Sequence, residues 1–191
     1  DYVQSLAPLL FQISSCYWTA QQSAAGDHNA QTTLKDRLDQ TEQLLKKVES
    51  AEQSLGKDLQ FTKEGLSKRQ RPEANYAALN EQWRTFRDNC NNPHNGLDAA
   101  YEKINGQIVT MITHATDTSG MVLDDTLDSF YLISSNSIEL PRIYENIAQM
   151  AGRITTVLSR SRLSAADRSD FISQVAALDD TCDRVYSSVE T

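Results

Sequence analysis

Long apolar runs are missing from this chain: nothing in its 191 residues approaches the roughly 18 consecutive apolar residues of a membrane span. A secretory leader pattern is absent as well. Cysteine is scarce. Cys16, Cys90 and Cys182 are too few for a disulfide framework, and an odd number leaves at least one thiol unpaired. One bridge is compatible with an oxidising compartment, so cysteine usage does not fix the compartment. Four prolines and seven glycines are few breakers for this length, so long helices can run uninterrupted. Basic residues are outnumbered 18 to 26, for a net charge of −8. That balance argues against nucleic acid and anionic lipid as partners. The deficit is sharpest over residues 115–139, which hold Asp117, Asp124, Asp125, Asp128 and Glu139 and no Lys or Arg.

What the chain does have is apolar residues at 4-3-4-3 spacing, the signature of helices packed lengthwise. Six stretches carry it. The first runs Leu6, Leu9, Ile13, Cys16, Ala20 and ends at Gly26-Asp27. The second runs Leu34, Leu38, Thr41, Leu45, Val48, Leu55, Leu59, weakened by Gly56 and Gly65 and stopped at Arg71-Pro72. Tyr76, Leu79, Trp83 and Phe86 form the third, closed by a turn-rich run from Asn89 to Gly96. The fourth is Leu97, Tyr101, Ile104, Ile108, Met111, Ala115. A break follows at Gly120, then a short helix from about Thr126 to Ser135 whose Phe130 and Tyr131 seat it on the bundle. The fifth starts at Pro141, well placed in a first turn, and reads Ile143, Ile147, Met150, Ile154, Val157. The last is capped by Ser164 with Asp167 three residues on, and reads Phe171, Val175, Leu178, Cys182, Val185. Strand alternation is absent. The expectation is an all-α, elongated up-and-down bundle of about six helices, one domain over residues 1–191, with a broken helix near 120–141.

Enzymatic chemistry finds no footing. The residues three before His28, His94 and His114 are Ala25, Asn91 and Met111, so the Glu-x-x-His pairs of a bundle di-metal site are missing. No H-E-x-x-H, Cys-x-x-Cys, Walker or Rossmann pattern occurs. The cluster Asp124-Asp125-x-x-Asp128 lacks the ligand order of a calcium loop and reads as a helix cap. No cofactor, metal or catalytic residue is expected.

Polar groups on helix faces are the candidates for binding a small ligand. Arg142 and Arg153 lie eleven apart, three turns, and share a face; either suits a carboxylate, or pairs with nearby acids on the surface. Tyr17 and Trp18 adjoin the seam at Cys16, where rings either fill the core or clamp a ligand. His114 and Asp117 sit one turn apart beside the Gly120 break, where backbone groups lack helical partners. Tyr131 can turn its hydroxyl toward the same pocket.

The run from His114 through Asp117-Thr-Ser-Gly-Met-Val-Leu-Asp-Asp-Thr-Leu-Asp-Ser-Phe-Tyr-Leu132 into Leu140-Pro141 resembles the helical periplasmic sensor domains of bacterial transmembrane receptors. Those receptors are chemoreceptors, sensor histidine kinases and membrane-bound diguanylate cyclases. Leu9-Leu10-Phe11-Gln12-Ile13 and Ala24-Ala25-Gly26-Asp27 are similar to the family's first helix, and the likeness covers about a third of the chain. The chain departs from the family at Cys16-Tyr17-Trp18, Asp125 and Met150-Ala151-Gly152-Arg153, so the resemblance implies architecture and role but no particular ligand. It implies a periplasmic, homodimeric sensor domain taking a small molecule or a ligand-loaded periplasmic binding protein. Membrane contact would come only through flanking segments, and the start at Asp1 rather than Met fits a piece of a longer protein. The competing expectation is a structural or effector bundle that binds proteins along a helix groove. Heptads with charged edges over residues 34–71 fit that reading, whereas the break at 117–141 does not.

Overall fold

The computed structural model describes residues 1–92, 96–120, 139–160 and 162–189. Among them the chain is an all-helical bundle: α1 (Tyr2–Ala24), α2 (His28–Leu55), α3 (Lys63–Lys68), α4 (Tyr76–Asn91), α5 (Leu97–Thr118), α6 (Leu140–Arg160) and α7 (Ala165–Val189). The short helix read near Thr126–Ser135, with Phe130 and Tyr131, lies outside the described residues, as do Asp124, Asp125 and Asp128.

Helix starts follow local chemistry. Asp27 accepts from the amides of Asn29 and Ala30 at the head of α2, and Asn75 from Ala78 at the head of α4. Ser164 and Asp167 bond reciprocally at the head of α7, Asp167 N–H to Ser164 Oγ at 3.1 Å and Ser164 N–H to Asp167 Oδ2 at 2.8 Å. Gly120, at φ +74°, follows the last turn of α5, where a left-handed residue ends a helix at least cost. Pro8 removes one backbone donor inside α1 without ending it, because Leu6, Leu9 and Leu10 around it are fully buried.

α1 is the central rod. It packs on α2, on α5 and on α6, which buries Leu10, Ser14 and Tyr17 in addition to the Leu6-Leu9-Ile13-Cys16 seam. α4 packs on α5 and closes the core with Leu79, Trp83 and Phe86. Each such fully buried aliphatic or aromatic side chain contributes about 1.5–3 kcal/mol. α6 lies alongside α1 in the same direction, Phe11 meeting Tyr144 at 4.0 Å between rings and Tyr17 meeting Gly152. α7 returns along α6, with Arg184 reaching Glu139 at 3.2 Å. The first and last helices therefore have their outer ends toward the same end of the bundle.

Two details differ from the sequence expectation. The second stretch is two helices: α2 stops at Leu55, Gln60 turns left-handed at φ +55°, and Gly65 in α3 nestles against the Gln60 carbonyl, where a Cβ would sit at 2.3 Å. α4 runs on to Asn91, so Cys90 is buried on a helix rather than placed in a turn. All three cysteines are free. Burial pushes the Cys16 thiol up to about 11, and burial also raises Cys90, so neither is a reactive thiolate at neutral pH.

Candidate functional site

A cavity of about 290 Å³ opens where the end of α1, the start of α5, the middle of α6 and the start of α7 converge. Tyr17 forms its back wall. Its ring stacks on Tyr101 of α5 at 4.2 Å and 17°, and its hydroxyl donates to Asp98 Oδ1 at 3.0 Å. Gln21, one turn beyond Tyr17, donates its side-chain amide to the same oxygen at 3.1 Å. Tyr101 is fixed in turn by a 3.0 Å hydroxyl contact with Ser14, a polar residue buried on α1. Gly152 lets α6 approach the Tyr17 ring; a Cβ there would meet Tyr17 Cε1 at 3.0 Å. Arg153 follows immediately and enters the cavity wall, as Asp167 does from α7.

The electrostatics are lopsided. Among the described residues, Asp98, Glu102 and Asp167 line the cavity, against one basic side chain, Arg153. Arg153 already holds Asp170 of α7 at 2.5 Å. The donors on Asp98, a phenol and an amide, are neutral. Burial first, and the Asp98 carboxylate second, hold the Tyr17 phenol well above its ordinary value, so it remains a protonated donor.

The candidate residues read from the sequence fall in different places. Arg153 lines the cavity, with Tyr17 beside it. Trp18 is exposed and does not line it. Arg142 lies within the first turn of α6, but its side chain, like Tyr131, is outside the described residues. His114 and Asp117 sit at the far end of α5, about 25 Å from Asp98 at 1.5 Å per residue. His114 is fully buried, its Nε2 within 3.1 and 3.2 Å of the Leu59 and Gln60 carbonyls and its ring edge-on to Phe61. Asp117 pairs with Arg71 at 2.7 Å. Leu59 and Gln60 tie α5 to the segment joining α2 and α3, Arg71 ties it to the segment joining α3 and α4, and neither His114 nor Asp117 reaches the cavity.

Asp98, Gln21, Glu102 and Gln149 were not singled out by sequence reasoning. One signal was available: Asp98 and Glu102 are like charges at i, i+4 on one helix face, an arrangement that costs an isolated helix a few tenths of a kcal/mol. A second cleft of about 490 Å³ lies between α1, α2 and the end of α4; Leu34, Leu38 and Cys90 line it, and Lys35 is the one charged residue among its described lining. Among the described residues no cluster of three or more His, Cys, Asp or Glu side chains is suited to a metal ion, and no helix is long and apolar enough to cross a membrane.

Fold and cavity together define an all-α bundle with a polar chamber between its rods. Comparison of the chain with family models, with curated proteins and with solved structures finds no match.

Proposed function

We propose that this chain is the ligand-sensing, extracytoplasmic domain of a bacterial transmembrane receptor, a chemoreceptor or sensor kinase acting as a homodimer in the periplasm. One observation carries the reading: the 290 Å³ cavity is walled by both the first and the last helix, through Tyr17 and Gln21 of α1 and Asp167 of α7. A molecule bound there, free or handed over by a periplasmic binding protein, touches both helices at once. It favours the packing that fits it best, and a shift of about 1–2 Å along a terminal helix is enough to carry a signal. The response is bounded by the ligand's differential affinity for the two packings.

A second reading, a structural or effector bundle that docks proteins, draws on a different feature: Tyr144, Ile147, Ile154 and Leu158 of α6 are exposed along one stripe. The two separate in a thermal-shift screen with organic acids, amino acids and polyamines. A true ligand at a hundred times its Kd stabilises by about 2.7 kcal/mol, a rise in melting temperature of roughly 5–10 °C. If no compound in the screen raises the melting temperature at millimolar concentration, the sensing proposal fails and the docking reading takes its place.

A further inference from the structure

We infer that residues 56–75 form an acid-released strap across the end of α5, latched by His114, and that its release loosens the outer end of α1. No ligand in the cavity is needed for this device.

The strap joins α2 to α4 and carries α3. Gln60 at φ +55° and Gln70 at φ +56° are left-handed without being glycine, a conformation that persists only where surrounding contacts hold it. Among the described residues three polar ties hold the strap on α5. His114 donates to the Leu59 and Gln60 carbonyls at 3.1 and 3.2 Å, Asp117 accepts from Arg71 at 2.7 Å, and Gln107 donates to the Glu73 carbonyl. Of the three side chains on α5, only that of His114 is fully buried.

The latch holds in one protonation state. Facing two carbonyls, Nε2 carries the hydrogen, which leaves Nδ1 a bare lone pair with no partner. A proton there becomes a charged donor in a dry site without an acceptor. Arg69 and Arg71 of the strap bear on the ring and oppose a second cation. Asp117, on α5 itself, is engaged by Arg71. The α1 side contributes the Tyr2 phenol, and α2 contributes Glu52, which accepts from Tyr2 at 2.9 Å and from the Tyr76 amide at 3.0 Å. Lifting the strap lets Nδ1 reach water and take the proton at its ordinary value, so acid favours the lifted form.

Phe61 carries the effect to the first helix. Its ring lies 4.5 Å edge-on from His114 and 4.5 Å from Tyr2, the buried first residue of α1. A lifted strap therefore uncovers Tyr2 and leaves the outer turn of α1 held by its bond to Glu52.

Hydrogen exchange of the folded chain between pH 7.5 and 5, corrected for the intrinsic rate, tests the latch. The Phe61 and Leu66 amides are bonded within the strap, to the Gly56 and Thr62 carbonyls. Their protection should fall by up to about tenfold per pH unit below about 6.5. Protection at Leu6 of α1 should fall with them, while Leu45 and Val48 in α2 hold. His114→Gln keeps a side-chain N–H for the carbonyls but takes no proton, so its strap protection should stay flat. Glu52, whose carboxyl burial raises, is common to both chains and cancels. Proton NMR of the wild-type His114 ring reads the latch without any substitution, and its transition should lie below 6.5. A transition at or above 6.5, an acid loss that survives in His114→Gln, or strap and α2 losing protection together would overturn the latch. A strap that opens while Leu6 stays protected would overturn the link to α1.

Discussion

His114 illustrates how a polar residue in a helical seam can be structural, and its burial makes a pH-dependent prediction. Its Nε2 donor faces two carbonyls, Leu59 and Gln60, while Nδ1 has no partner. Protonation would place a charge at Nδ1 in a dry site, with Arg71 and Arg69 adding repulsion, so the folded-state value is lowered, burial being the largest cause. The folded chain therefore binds the proton less readily than the unfolded chain. Stability is complete above the unfolded value of about 6.5 and is lost as the pH falls from there toward the folded value. The slope approaches at most about 1.4 kcal/mol per pH unit, the limit for one proton. Chemical denaturation of wild type and His114→Gln between pH 7.5 and 5 isolates it, since His28 and His94 are common to both. The variant should lose the acid-side slope. Parallel pH profiles would mean that His114 titrates as freely in the folded chain as in the unfolded one.

At the scale of elements, two glycines separate close packing from helix propensity. Gly152 of α6 faces a Tyr17 ring that is stacked on Tyr101 and bonded to Asp98, so the ring has little room to yield. Gly106 of α5 faces open space. Alanine at 106 gains helix propensity and should stabilise by about 0.5–1 kcal/mol. Alanine at 152 gains the same but overpacks, a cost of about 1–3 kcal/mol, so a net loss of up to roughly 2 kcal/mol is expected. Thermal melts of the pair should move in opposite directions; an equal gain in both would mean that α6 does not press on Tyr17. The same contrast marks what the sequence could convey. Periodicity located the long helices, and the signals at Gly26, Gly120 and Ser164 located ends of them, because those are local effects. The split of α2 from α3 was hidden, since Leu55 and Leu59 keep the helical period through a turn set by Gln60 and Gly65. The chamber was hidden for a related reason. Asp98, Gln21 and Arg153 are far apart in sequence, and only the parallel course of α1 and α6 brings their helices to one corner. Sequence spacing pointed instead to His114 and Asp117, whose partners Leu59, Gln60 and Arg71 no periodicity could show.

For the molecule as a whole, the outer hairpin of α6 and α7 carries more apolar surface than the chain itself covers. The stripe Ile143, Ile147, Met150, Ile154, Val157 has the spacing of a core seam, yet Ile147 and Ile154 are exposed. With Tyr144, Ala151 and Leu158 they form a 3-4-3-4 row, and Leu158 is 72% exposed. α7 repeats the theme: Ile172 is 71% exposed, Val175 and Tyr186 lie open on the same helix, and Thr181 is its one buried residue among those described. Among the described helices only α6 packs extensively on α7, and the seam of α7 is half covered. A row with a period of 3.5 selects a helix as its complement, and a second copy of α6 presents the same row in return, which is the self-complementarity a two-fold interface requires. The homodimer of the proposed receptor would then form along α6, next to the helix whose middle walls the cavity, so that occupancy and dimer geometry are coupled through one rod. Light scattering on a sizing column at about 50 µM should give twice the mass of a single chain. Ile147→Glu with Leu158→Glu, both on exposed positions outside the core, should halve that mass while the helical circular dichroism holds. A wild-type chain that elutes as a monomer, or a doubly substituted chain that stays dimeric, would place the interface elsewhere and break the link between the chamber and the partner subunit.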